Sequence, residues 1–243
     1  MMELERNKNY EKKYTFESFV SGKGNKVALT AALKIAKNPG TLYNPFYIYS
    51  DTGYGKTHLL KAIANYVFNL NDNYKIVYAT AMEILKDFDY AQMNDLSFFD
   101  KKYGNADLLL IDDIQLLYCR IAIQQKLVYL LQSMIDRNKQ IVISADCNPM
   151  KLTGFIDRLI SMFQMGVQVT ISKPDLSQRM SVLKNKVKDK NEKEFCEDVL
   201  LYISKKYSDN IRELEGALNR VLLYSEINKS DITLELAKKA LNK

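Results

Sequence analysis

Apolar and polar positions follow two different rhythms along this chain. Short, nearly continuous apolar or β-branched runs recur at Phe46–Tyr49 (FYIY), Lys75–Ala79 (KIVYA), Asp107–Ile111 (DLLLI), Gln140–Ser144 (QIVIS) and Val167–Ile171 (VQVTI). Between them apolar residues fall at helical spacing over Asn25–Ala36, from about Lys56 to Phe68, and over Met82–Phe88, Ile123–Arg137 and Phe155–Phe163. Strand alternating with helix predicts a mostly parallel sheet covered by helices on both faces. Asn38-Pro39-Gly40 stops the first helix. After Lys173-Pro174-Asp175 the rhythm is helical only, over Ser177–Val187, Glu194–Lys206, Asn210–Tyr224 and Leu234–Leu241. Asn210 and Glu213 read as a capping box opening the third of these helices. Ile211, Leu214, Leu218, Val221 and Leu222 form its apolar stripe. The pattern divides the chain into a polar, frayed stretch at 1–13, an α/β domain at 14–172 and an all-helical domain at 173–243.

Composition narrows the class. The chain has 243 residues, enough for two cores, and 47% of them are hydrophobic, as in a globular protein. Its longest apolar runs, such as Leu108–Ile111, are far too short to span a bilayer. The start, MMELERNKNY, lacks the apolar segment of a secretory signal. The expectation is a soluble cytoplasmic protein that touches no membrane. Cys119, Cys147 and Cys196 lie far apart in no metal-ligand spacing, which reads as free thiols. His58 is the only histidine, which argues against a histidine zinc site or a Ser-His-Asp triad. The net charge of +6 favours an anionic partner weakly, or reflects a lysine-rich surface such as Lys184–Lys190. No run interleaves basic and aromatic residues as a nucleic-acid groove would.

The candidate chemistry begins at Ser50-Asp51-Thr52-Gly53-Tyr54-Gly55-Lys56-Thr57, which follows a strand and opens a helix. The usual phosphate-loop pattern is G-x-x-x-x-G-K-[ST]. Gly55, Lys56 and Thr57 fit it, and Gly53 adds conformational freedom. In such a loop, backbone N–H groups at the helix N-terminus point at phosphates. Lys56 reaches the β- and γ-phosphates and the Thr57 hydroxyl holds Mg²⁺. Ser50 replaces the first glycine, and Asp51 places a carboxylate where it repels phosphate by about 1 kcal/mol at 4 Å in water. The strand Leu108–Ile111 then ends in Asp112 and Asp113, and a buried parallel strand delivers its last side chains to the ligand edge of the sheet. There Asp112 suits Mg²⁺ and Asp113 suits orienting or deprotonating water. Asp146, after the strand Gln140–Ser144, is a further polar group for water or the γ-phosphate, although aspartate at a strand end is also ordinary turn chemistry.

These residues resemble one family. The stretch YTFESFVSGKGNKVALTAALKIAKNPGTLYNPFYIYSDTGYGKTHLLKAIAN (Tyr14–Asn65) is similar to the opening of the AAA+ ATPase module of the bacterial replication initiator DnaA. So are LLLIDDIQLL, QIVISADCNP, DRLISMF and NIRELEGALNRV, the last spanning Asn210–Val221. The resemblance covers about residues 14–241 and extends to short DnaA-like regulators of the Hda type. It implies a P-loop AAA+ three-layer parallel sheet followed by a small helical lid. It implies ATP or ADP with Mg²⁺ as ligands, bound by Gly53, Tyr54, Gly55, Lys56, Thr57 and His58 of the loop. It places Val20 and Asn25 near the adenine and ribose, makes Asp146 the sensor 1 residue, and makes Arg212 the sensor 2 residue on the lid.

Three departures bear on function. The position whose arginine completes a neighbouring subunit's ATP site in the family is Met162 here, while the preceding Arg158 is kept. The loop that usually grips single-stranded DNA reads Tyr118-Cys119-Arg120-Ile121-Ala122-Ile123, mostly apolar. The family's helix-turn-helix domain and helicase-interaction domain have no counterpart in this sequence, nor has the clamp-binding peptide of the Hda type. Three readings follow: an accessory ATPase with slow hydrolysis, acting in replication initiation or its regulation by docking on DnaA or another replication protein; an initiator fragment that binds DNA, acting as a homo-oligomer; and a non-enzymatic adaptor.

Overall fold

The computed structural model describes residues 13–190 and 195–242. The frayed stretch expected at the start falls almost wholly outside these residues, as does the expected helix start at Glu194. The elements run α1 (Lys26–Lys37), β1 (Phe46–Tyr49), α2 (Lys56–Leu70), β2 (Ile76–Thr80), α3 (Ala81–Met93), α4 (Leu96–Phe99), β3 (Leu108–Asp112), α5 (Ile121–Asp136), β4 (Gln140–Ala145), α6 (Asp157–Met165) and β5 (Val167–Thr170). Then come α7 (Leu176–Lys190), α8 (Glu197–Lys206), α9 (Ile211–Ile227) and α10 (Leu234–Leu241). A π-turn at Asp100–Gly104 and short 3-10 turns at Ile114–Leu117 and Pro149–Lys151 complete the set.

The five strands form one sheet in the order β2-β3-β4-β1-β5, and every neighbouring pair is parallel. This is the α/β class the alternating pattern predicts. Every residue of β3 and β4 is buried, which explains their almost unbroken apolar sequences: helices cover both faces. Tyr47, Leu109, Ile111, Leu127, Ile141, Ile143 and Phe163 are among the residues of its main core. Each fully buried leucine or isoleucine contributes about 1.5–3 kcal/mol of transfer free energy. The parallel arrangement puts the C-terminal ends of β1, β3 and β4 side by side, the edge where such sheets bind ligands.

The chain forms two compact units. One comprises residues 13–19, Val27–Asp51 and Lys56–Ile171; the other comprises Val20–Lys26, Thr52–Gly55 and Ser172 onwards. The helical unit has its own core, built on Leu183, Val199, Ile203, Leu214, Ala217, Leu218 and Val221. The sequence pattern places the boundary between residues 172 and 173 and assigns the helical domain no earlier segment; the assignment of two short early segments to this unit depends on contacts far along the chain. Asn25 and Val20 belong to the first of these segments. The Asn25 side chain accepts from the Gly22 N–H at 2.8 Å and donates to the Val20 carbonyl at 2.9 Å, and Gln178 donates to the same carbonyl at 3.1 Å.

Candidate nucleotide site

The loop after β1 has its root tied to the sheet by the Ser50 N–H, which donates to the Ala145 carbonyl at the end of β4. Gly53 and Gly55 adopt φ of +84° and +104°, a region open to glycine without strain. A Cβ on Gly53 would lie 2.9 Å from the Cβ of Asn210. The Gly53 carbonyl accepts from the Ile211 N–H, so the loop tip is part of the hydrogen bonding at the start of α9. Lys56 opens α2 and is buried. Its Nζ donates to the Ser50 carbonyl at 2.6 Å, the Asp51 carbonyl at 3.1 Å and the Ser50 hydroxyl at 3.3 Å. A buried ammonium requires such partners. Thr57 is half-buried in the first turn of the same helix.

The acidic end of β3 is more elaborate than its sequence suggests. Asp112 is only 2% exposed. Its Oδ2 accepts from the Tyr78 hydroxyl at 2.7 Å, and its Oδ1 accepts from the Ser144 hydroxyl. The register explains the meeting. Thr80 pairs with Asp112, so Tyr78, two residues earlier on β2, lies on the same face of the sheet. Ser144 is one residue beyond the Ile111–Ile143 pair on the other flank. Burial, and then the Asp112 charge, push the Tyr78 phenol well above its ordinary pKa, so it remains a donor. Asp113 takes φ 57° and ψ 51°, and its N–H donates to the Ser144 hydroxyl at 2.9 Å. Gln115 donates to the Asp113 carboxylate at 3.2 Å and accepts from the Asp146 N–H at 3.3 Å. Asp113 and Asp146, distant in sequence, are therefore joined through one amide side chain. Tyr78, Ser144 and Gln115 were absent from the sequence reading. Only register and contact could have found them.

Among the described residues no group of three or more His, Cys, Asp or Glu side chains is arranged to hold a metal ion. Magnesium bound with a nucleotide needs no such cage, since phosphates and water supply most of its ligands. One carboxylate, Asp112, and one hydroxyl, Thr57, are hard oxygen donors of the type that ion takes, so the residues present fit it.

The remaining predicted positions are placed as follows. His58 donates from Nε2 to the Thr15 carbonyl at 2.9 Å, which fixes its tautomer, and its ring packs edge-on against Tyr14 and Phe19. Its side chain therefore anchors residues 14–19 on α2. Both polar ends of the Asn25 amide are engaged inside its own turn, and Val20 packs against the core of the helical unit. Tyr54 is half-buried, and Arg212 is exposed on the first turn of α9. Met162 is 7% exposed and belongs to the main core, whereas Arg158 is exposed, with its guanidinium 5.9 Å from the centre of the Tyr129 ring. The apolar loop exposes Tyr118 and Ile121. Its root is pinned by buried Gln124, which donates to the Leu117 and Gly154 carbonyls and accepts from the Ile156 N–H.

Comparisons with known proteins bear on the family and the fold. Residues 10–170 match the family described as the bacterial DnaA ATPase domain. The chain is 42% identical over 228 residues to the chromosomal replication initiator protein DnaA of Herminiimonas arsenicoxydans, covering 93% of this chain and 49% of that protein. It thus spans about half the length of the curated relatives it matches. Domain III of the Thermotoga maritima replication initiation protein DnaA superposes with a TM-score of 0.91 at 39% identity, over 95% of this chain and 96% of that one. A replication initiator DnaA bound to AMPPCP and single-stranded DNA superposes with a TM-score of 0.81 at 32% identity, over 90% of this chain and 69% of that one.

Proposed function

The chain belongs to the bacterial DnaA ATPase-domain family, with its AAA+ fold, and from that premise we propose that it binds ATP or ADP with Mg²⁺ and acts in initiation of chromosomal replication or its regulation. The observation that carries this reading is Lys56, a buried ammonium at a helix N-terminus held by oxygens of its own glycine-containing loop. Lys56 exchanges some of those oxygens for β- and γ-phosphate oxygens, a stronger charge pairing. Thr57 and Asp112 hold Mg²⁺, whose chemistry is to neutralise charge on the phosphates. Asp113 orients the attacking water, with Gln115 fixing its carboxylate. Asp146, whose N–H donates to Gln115, serves the same γ-phosphate end in this reading, and the family resemblance makes Arg212 a second cation. The nucleotide state then favours or disfavours docking on DnaA or another replication protein.

A slow or silent ATPase suits this site better than rapid turnover. Met162 is buried in the core at the position where the family resemblance implies an arginine for a neighbouring copy. A methionine offers no charge, and such arginines are worth about 10³–10⁵ in rate in GTPases. The adaptor reading, in which nucleotide is a structural ligand or is not bound at all, is favoured by the same residue together with Ser50 and Asp51. Single-stranded DNA, bound by one structural relative, is the weaker partner here, because the exposed loop is apolar at Tyr118 and Ile121.

Titration calorimetry of ATP and ADP with Mg²⁺ tests the reading. Micromolar or tighter binding by the wild type, lost in Lys56→Ala, is the expected result. A folded wild type that binds neither nucleotide overturns both ATPase readings and leaves an adaptor.

A further inference from the structure

We propose that Tyr78 and Ser144 are positioning residues that hold the Asp112 carboxylate in the orientation a divalent cation requires. The inference deepens the nucleotide reading and rests on it. Asp112 is almost fully buried, and an ionised carboxylate in that position is costly unless hydrogen-bonded. The two hydroxyls satisfy it from opposite flanks, one from β2 and one from β4, each on a different oxygen. A carboxylate has about four lone-pair sites. Two donors therefore leave two directions open, and the carboxylate plane is fixed from both sides. Ser144 does more: it also accepts from the Asp113 N–H. One hydroxyl thus sets the metal-binding carboxylate and the left-handed turn that presents the water-orienting one. Tyr78 is in turn covered by Lys61, whose Nζ lies 5.5 Å from its ring centre.

Neither side chain occupies the phosphate loop, and neither is required to touch nucleotide. Groups that orient a metal ligand typically cost about 10- to 100-fold in metal affinity when removed. Tyr78→Phe removes a single oxygen and keeps the ring. Calorimetry of ATP binding with and without Mg²⁺ separates the effects. The expected result is that Tyr78→Phe binds Mg²⁺-free ATP like the wild type, while the Mg²⁺ concentration giving half of the metal-dependent gain rises about tenfold. Electron paramagnetic resonance of Mn²⁺ in the ATP complex gives a second readout, expected to broaden in the variant. If Tyr78→Phe lowers the melting temperature by more than a few degrees, Ser144→Ala against Ser144→Thr makes the same comparison, because Thr keeps the hydroxyl. Superimposable Mg²⁺ titrations of the wild type with either deletion variant overturn the positioning role and leave nucleotide binding standing. A wild type that binds ATP equally with and without Mg²⁺ overturns it too, by removing the metal. A wild type that binds no nucleotide overturns the parent reading instead.

Discussion

Ser50 stands where the phosphate-loop pattern has glycine, and its hydroxyl lies 3.3 Å from the Lys56 ammonium. Lys56 must give up part of its oxygen set to meet a phosphate, and every acceptor in that set competes with the ligand. A single hydrogen bond is worth about 0.5–1.5 kcal/mol net. Ser50→Gly is therefore expected to tighten ATP·Mg²⁺ binding roughly two- to fivefold by calorimetry; unchanged or weaker binding means that the hydroxyl does not compete. The cysteines separate by environment in the same way. Burial first, and then the hydrogen bond and charge of Asp146, push the Cys147 thiol up to about 11. Cys119 and Cys196 are exposed. Since the thiolate is the reactive form, a thiol reagent at pH 8 should modify two cysteines quickly and Cys147 slowly. Mass spectrometry of the labelled peptides identifies the slow one, and early labelling of Cys147 would contradict its shielding by burial and Asp146.

At the scale of elements, caps and buried amides carry contributions that periodicity does not display. Thr80 opens α3 with a full capping box: its hydroxyl accepts from the Glu83 N–H while the Glu83 carboxylate accepts from the Thr80 N–H. Asn210 caps α9 by accepting from the Glu213 N–H at 2.8 Å. Thr80→Ala and Asn210→Ala should each cost about 1 kcal/mol in urea denaturation, and a cost near zero would show that the ends fray without them. Asn210 lies beside the loop glycine, so its replacement should perturb nucleotide affinity as well. Gln124 is fully buried on α5 and serves three backbone groups. Gln124→Ala removes the acceptor of the Ile156 N–H, while the Leu117 and Gly154 carbonyls keep the Arg120 and Cys119 N–H groups, and should cost about 1–3 kcal/mol. A protease would then cut the 117–121 loop faster.

At the scale of the α/β unit, the starts of three strands are tied together by charge. Asp107, just before β3, accepts from Lys139 before β4 at 2.5 Å and from the Lys75 N–H before β2 at 2.9 Å. Burial pushes the Asp107 carboxyl up, but the hydrogen bonds from Lys139 and Lys75 together bring it below the ordinary value. A carboxyl depressed in the folded state stabilises the fold above its unfolded pKa of about 3.9, and that contribution fades as pH falls through the lower folded value. Asp107→Asn should therefore lower the urea midpoint at pH 7 and show a shallower loss between pH 4 and pH 2 than the wild type. Parallel curves would mean that the pair contributes nothing, as many partly exposed pairs do.

The sequence by itself determined the class of fold, the strand cores and the chemistry-bearing motifs. β1 was read with its observed limits, and β3 and β4 to within a residue or so, because a strand buried on both faces must be apolar nearly throughout. The stripe of α9 was legible for the same reason, one apolar face packed on a core. Lys56, Thr57, Asp112 and Asp113 were legible because their chemistry is local: a turn, a helix start and a strand end. The second half of α3, the short α4 and the π-turn after it were not, since polar residues such as Asp87 and Asp89 interrupt the stripe there. Tertiary structure alone decided which side chains meet at the acidic strand end. Tyr78, Asp112 and Ser144 come from three strands, and only parallel register places them on one face. It also decided that His58 and Asn25 turn their side chains to the backbone, and that Met162 faces the core. A sequence records what each residue can offer, but burial and register choose the partner that receives it.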